Sequence, residues 1–220
     1  IWNPALTLDF PMGFTQVAIS GEGGTLAVAS FYFDVDLDET KGGVETFRAL
    51  DDGNGNMSWP EFGSAENVTN VLEYESRGIL GDFPGLNIAL SYDGGNLVVG
   101  SPGFGDGQQG EKDQMGRVRV FMYDEGSGLW QQMKADIEGH TAGERSGSSV
   151  DIVKTAANEL YVIVGATGKD GVDGSAPDSG VVRVYMAVDG QEEWQQVGGD
   201  IHGEASDDHS GFSVSVTETD

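Results

Sequence analysis

The sequence predicts an all-β fold of repeated four-stranded units, and three observations carry the prediction. GRVRVFMYDEGSGLWQQMKADIEG, from Gly116 to Gly139, returns as GVVRVYMAVDGQEEWQQVGGDIHG from Gly180 to Gly203, sixty-four residues on and without a gap. A glycine-led phrase recurs at Gly13 (GFTQVAISGEGGTLAVAS), Gly85 (GLNIALSYDGGNLVVGSP), Gly147 (GSSVDIVKTAANELYVIVGAT) and Gly211 (GFSVSVTETD), at steps of 72, 62 and 64 residues. Val17 and Ile19, Val118 and Val120, and Val182 and Val184 alternate with more polar neighbours, the period-2 mark of strands with one buried face.

The strands follow in order within each unit. The first begins at the leading glycine and ends in a tight turn, SGEGGT, SYDGGN or KTAANE. The second is apolar enough at Leu97 to Val99 and Leu160 to Val164 to be buried on both faces. The third opens with GGVETF at Gly42, GRVRVF at Gly116 and GVVRVY at Gly180, and the fourth is marked by Trp59, Trp130 and Trp194. Turns such as Asp93-Gly94 and Asp189-Gly190 supply the positive φ that tight hairpins need. A four-stranded unit repeated at this spacing is the pattern of a β-propeller blade. Residues 1–12, with Trp2, read as the last strand of a preceding blade, and 13–84, 85–146 and 147–210 as three complete blades. Residues 211–220 read as the first strand of a following blade. In the insert from Phe62 to Pro84, Ser64 is expected to cap a short helix running through Glu75 and ended by Gly78.

Met12-Gly13-Phe14 and Gly211-Phe212, with Gly100-Ser101-Pro102 and Gly165-Ala166-Thr167 after the second strands, resemble the FG-GAP repeat, the blade of the integrin α-subunit propeller. The resemblance spans almost the whole chain and implies a seven-bladed ring with ligand binding on one loop face. Three blades do not close such a ring. The chain is therefore expected to be a section of a longer polypeptide, or to receive its remaining blades from another chain. That it begins with Ile1 fits a removed targeting segment or a fragment.

Strand direction alternates, so the loop between strands two and three shares an end with the link to the next unit, opposite the tight turns. The loops at that end are long and acidic. They hold Asp34, Asp36, Asp38 and Glu39, then Asp106, Glu111 and Asp113, then Asp170, Asp173 and Asp178, and the links add Glu144, Glu204, Asp207 and Asp208. This is the predicted binding face, for a protein or glycan partner. With 37 acidic against 11 basic residues the net charge is −26, so nucleic acid and anionic lipid are poor partners, repelled by like charge, and no nucleic acid is expected. Saline surroundings suit such a surface, since screening shortens to about 3 Å near 1 M salt. There is no cysteine, and the longest apolar run, Leu160 to Val164, is far below the roughly 18 residues of a membrane helix, so no membrane insertion is expected.

Calcium is a candidate ligand where Asp34, Asp36 and Asp38 alternate with Glu45 at the twelfth position, although Glu39 stands where such loops carry glycine. The plainer reading is an extended strand with its aspartates in water. Asp52, Asn54 and Asn56 form a second candidate, read more simply as a polar turn. The DxDxDG motif that the resemblance implies is missing from all three tight turns. Asn56 and Asn67 match the N-glycosylation pattern and support an extracellular or cell-surface setting.

His202, Glu204, Asp207, Asp208 and His209 could in principle ligate zinc or shuttle protons, but their spacing matches no metal or catalytic signature. GATGK from Gly165 to Lys169 hints at a phosphate loop with too short a glycine spacing. The recurring tryptophans fit packing between blades better than sugar binding. Arg119 and Arg183, at equivalent positions, are expected to pair with acids or strand carbonyls. The sequence thus favours a non-catalytic extracellular or surface module for adhesion, recognition or assembly. A propeller-scaffolded enzyme acting on glycans or phosphates, and a structural subunit of a larger assembly, are the alternatives.

Overall fold

The computed structural model describes residues 15–34, 39–54, 56–60, 62, 74–75, 87–105 and 114–217. They form three antiparallel sheets, and no described residue is helical. The first sheet runs β1 (Thr15–Ile19), β2 (Thr25–Asp34), β3 (Glu39–Arg48) and β6 (Tyr74–Glu75), with a small hairpin of β4 (Leu50–Asp51) and β5 (Met57–Ser58) inserted before β6. The second runs β7 (Asn87–Leu90), β8 (Asn96–Ser101), β9 (Arg117–Asp124) and β10 (Leu129–Glu138). The third runs β11 (Ser146–Lys154), β12 (Leu160–Ala166), β13 (Val181–Met186) and β14 (Gln195–Gln196), with β15 (Ile201–His202) also on β13. The first three strands of each sheet pair in sequence order, as predicted; the second sheet is a plain four-stranded meander, while β3 of the first skips the β4–β5 hairpin to pair with β6 and β13 of the third pairs with both β14 and β15.

A hydroxyl closes each tight turn between the first two strands. Ser20 Oγ accepts from the Thr25 amide at 3.0 Å, Ser91 Oγ from the Asn96 amide at 2.9 Å, and Thr155 Oγ1 from the Glu159 amide at 3.1 Å. The residue three places on is left-handed in every copy: Gly23 (φ 70°), Gly94 (φ 68°) and Asn158 (φ 64°). Consecutive turns touch, through a Glu22 amide to Tyr92 carbonyl bond at 3.0 Å and a Lys154 to Asp93 ion pair at 3.0 Å. They therefore share one end of the molecule.

Two expectations for the first sheet are corrected. Tyr74 and Glu75 lie on strand β6, paired with Gly42 and Lys41, so a helix through Glu75 is not formed. The β2–β3 ladder pairs Asp34 with Glu39 and Val28 with Glu45. Six rungs, roughly 20 Å of ladder, separate Glu45 from the Asp34 end, too far for one calcium ion to bridge. Asp36 and Asp38 lie outside the described residues. The fourth strand is interrupted in this sheet. Amide bonds from Arg48 to the Pro60 carbonyl (3.1 Å) and from Phe62 to the Thr46 carbonyl (2.9 Å) carry the β5 side along β3 as far as Phe62, and pairing resumes at β6. This register sets Trp59 opposite Ala49, as Trp130 stands opposite Tyr123.

The sheets stack face to face because each is apolar on both faces. Ala27, Ala29 and Val44 of the first pack on Ile88, Leu90, Leu97, Val99, Phe121 and Trp130 of the second. On its other face the second presents Val98, Val118, Val120 and Ile137 to Val150, Ile152, Val162, Val164 and Tyr185 of the third. Trp130 is buried, and its Nε1 donates across the first interface to Thr46 Oγ1 at 3.0 Å, so that it serves packing between sheets. Arg48 reinforces the same interface, its guanidinium 4.1 Å from the Phe62 ring centroid and 3.1 Å from Glu125.

The links after the second and third sheets repeat each other in hydrogen-bonded detail. Gly139 and Gly203 donate to the carbonyls of Gly116 and Gly180, and Ser146 and Ser210 to those of Met115 and Ser179. Arg145 and His209 are left-handed (φ 57° and 49°), followed by Gly147 and Gly211 at φ 88° and 85°. Gly147 packs against the backbone of Gly100, and Gly211 against that of Gly165.

Candidate recognition face

The end opposite the tight turns is built from the loop between β12 and β13 and the links that follow the second and third sheets. Glycines at 168, 171, 174 and 180 let the β12–β13 loop fold back on itself: Gly171 donates to Ala176, Gly174 to Gly171, and Gly180 to Lys169. The loop is then tied to both links. The Gly168 amide donates to the Glu144 carbonyl at 3.1 Å, Asp207 to Pro177 at 3.0 Å and His209 to Asp178 at 3.1 Å. The long loop and the links therefore share this end, as strand alternation predicts. With its Gly168 amide engaged, GATGK is a braced loop and not a phosphate cradle.

The predicted acids divide by role. Asp170 Oδ1 accepts from the Asp178 amide at 3.1 Å, and Asp208 Oδ2 from the Glu204 and Ala205 amides at 2.9 and 2.8 Å. These carboxylates shape the loops. Asp173, Glu204 and Asp207 are exposed, and their carboxylates have no hydrogen-bond or ion-pair partner among the described residues. The half-buried Asp178 is left-handed at φ 51°. Asp106, Glu111 and Asp113 lie outside the described residues. No group of three His, Asp or Glu side chains there is close enough to hold a metal ion, again among the described residues.

Beneath the face lies a buried ionic cluster. Glu144, fully buried, turns Oε2 to the amides of His140 and Thr141 (3.1 and 3.2 Å) and Oε1 to Nη1 of Arg183. Arg183 also grips Asp200 through both Nε and Nη2, at 3.0 and 2.9 Å, and Gln196 Nε2 donates to the same carboxylate at 2.8 Å. Burial opposes the Arg183 charge, but its bonds to Asp200 and Glu144 outweigh burial and hold its pKa above the ordinary arginine value. Burial likewise pushes the Asp200 carboxyl up, and the Arg183 and Gln196 bonds bring it below its ordinary value. The pairing expected for Arg183 is thus present. Asp200 and Gln196 were not singled out by motif, yet they recur as Asp136 and Gln132, sixty-four residues earlier, joined at 2.7 Å.

The histidines do not assemble into a catalytic pair. His209 meets the Thr167 carbonyl at 3.3 Å through Nδ1, His202 approaches Asp200 at 4.0 Å, and no bond joins the two among the described residues. Asp52 accepts the amides of Asn54 and Asn56 at 2.8 and 3.3 Å and the Asn56 side chain at 2.9 Å, which makes this candidate an ordinary polar turn. Asn56 is exposed, and Asn67 lies outside the described residues.

No family model matches the chain, and no curated protein matches it. Among solved structures, a similar chain is the "putative 6-phosphogluconolactonase from Bacteroides uniformis", 13% identical over 86% of this chain and 85% of that one, with a TM-score of 0.25. A likeness at that score carries no argument about function.

Proposed function

We propose that the chain is a section of a β-propeller of the FG-GAP kind, with residues 13–84, 85–146 and 147–210 as blades, and that it recognises a protein or glycan partner in an extracellular or surface setting. The observation that carries the recognition reading is the state of three carboxylates. Asp173, Glu204 and Asp207 stand exposed, without a partner among the described residues, on loops braced by backbone hydrogen bonds, so they present negative charge instead of consuming it internally. Fixed acids on a rigid loop face favour a basic or cation-bearing partner, and they act on association rate and specificity above all. The stacked four-stranded meanders and their recurring link support the propeller part of the reading.

The test is binding of the chain to arrays of basic proteins and of glycans, read at low and high salt, beside a variant carrying Asp173→Asn, Glu204→Gln and Asp207→Asn. The variant is expected to lose about tenfold in affinity or more at low salt while melting at an unchanged temperature. Equal binding by both proteins would remove the loop face as the recognition surface.

A further inference from the structure

Glu144 and Asp208 hold the same place in consecutive copies of the link, sixty-four residues apart. In both, one carboxylate oxygen accepts the two amides that begin the link: His140 and Thr141 for Glu144, Glu204 and Ala205 for Asp208. The other oxygen of Glu144 takes Nη1 of Arg183, which reaches it from the third strand of the next sheet, and the pair is closed off from solvent. The other oxygen of Asp208 has no partner among the described residues, and the residue is exposed.

The surroundings repeat as well. Asn87 Nδ2 donates to the Gly147 carbonyl at 3.3 Å, and Ser149 Oγ to the Gly211 carbonyl at 2.7 Å, so the chain after Gly211 lies on the third sheet as the start of β11 lies on the second. The Val216 amide adds a bond to Asp151 Oδ2 at 2.8 Å. The apolar face behind it is incompletely covered. Val118, Val120 and Ile137 of the second sheet are 0%, 0% and 4% exposed, whereas their counterparts Val182 and Val184 are only half-buried and Ile201 is 59% exposed.

We infer that this face, with Asp208 at its rim, docks a further antiparallel β-meander. That meander completes the sheet whose first strand starts at Gly211. It carries an arginine three residues past the glycine that opens its third strand, and the guanidinium closes on Asp208 as Arg183 closes on Glu144. The inference rests on the propeller part of the proposed function and is independent of loop-face recognition. Charge selects the occupant. A second copy of this chain stacked head to tail would offer Glu45, three residues past Gly42, where Arg119 and Arg183 stand three past Gly116 and Gly180. Two carboxylates would then meet and repel.

Asp220 stands sixty-four residues after Ala156, so a copy of residues 157–203 appended after Asp220 continues the repeat in register and supplies the arginine. In the extended protein the amides of residues 213–217 should be protected from hydrogen exchange, relative to the original chain, with the first three sheets as internal reference. Asp208→Asn and replacement of the appended arginine by glutamine should each raise the unfolding equilibrium constant roughly tenfold, and together by no more than either alone. In the original chain Asp208→Asn should leave stability unchanged within about twofold. Protection with strictly additive substitutions would overturn the arginine latch and leave the stacked propeller standing. No protection would overturn the docking face itself. Self-association of the original chain in sedimentation, unchanged or strengthened by Asp208→Asn, would replace the proposed meander by a second copy.

Discussion

Arg183 shows how much a single side chain can carry in this protein. It is 1% exposed, binds two carboxylates, and holds the link after the second sheet to the third strand of the third. Arg183→Met leaves Glu144 charged and buried, so it should cost about 3–5 kcal/mol in denaturant unfolding, whereas Glu144→Leu combined with Arg183→Met should cost much less. Asp200 adds a pH dependence of defined sign. Its carboxyl is held below the ordinary 3.8, so its stabilisation is complete above that value and is lost as pH falls through the native pKa. Between about pH 5 and pH 2 the melting temperature of Asp200→Asn should therefore fall less steeply than that of the original protein. The comparison cancels the general relief of charge repulsion on acidification, which both proteins share. A recurring arginine pointed to buried pairing in the sequence. Which acids it would meet was not legible, because Glu144 and Asp200 lie 39 and 17 residues away along the chain and only packing brings them to one guanidinium.

At the scale of elements, the tight turns repeat in all three units and the links in the second and third, and glycines hold the links at closely packed or left-handed positions. A Cβ on Gly165 would fall inside the carbonyl oxygen of Gly211, a backbone atom with no freedom to retreat. Gly165→Ala should lower stability by about 1–3 kcal/mol. Gly24, in a tight turn with nothing near its would-be Cβ and no positive φ, should tolerate alanine and gain up to about 1 kcal/mol in the same thermal melts. The alternation of Val118 with Val120 and of Val182 with Val184 made the strands readable, since period 2 is imposed by the pleat itself. Two local readings went the other way. The polar stretch through Glu75 permits a helix, yet β3 offers open backbone groups at Lys41 and Gly42, and pairing with Tyr74 and Glu75 satisfies them. The aspartates after Phe33 have the rhythm of a calcium loop, but the ladder extends to Asp34 and Glu39 and draws the ends of that motif apart.

For the whole molecule, charge and stacking pull in opposite directions. A net charge of −26 on 220 residues opposes compaction, so the melting temperature should rise as sodium chloride is raised from about 0.05 M to 1 M, where screening shortens to about 3 Å. A flat or falling curve would show that the acids are arranged without net repulsion. The sequence by itself determined the repeat, the four-strand unit, the sorting of loops to two ends and the excess of acid at one of them. All of these follow from chain-local regularities: spacing, alternation and turn chemistry. Only the tertiary structure decided which acids brace the loops, which stay bare to solvent, and which meet Arg183 beneath the face. Those distinctions depend on distances between segments far apart in the chain, and these are set when the apolar faces of the sheets close on one another.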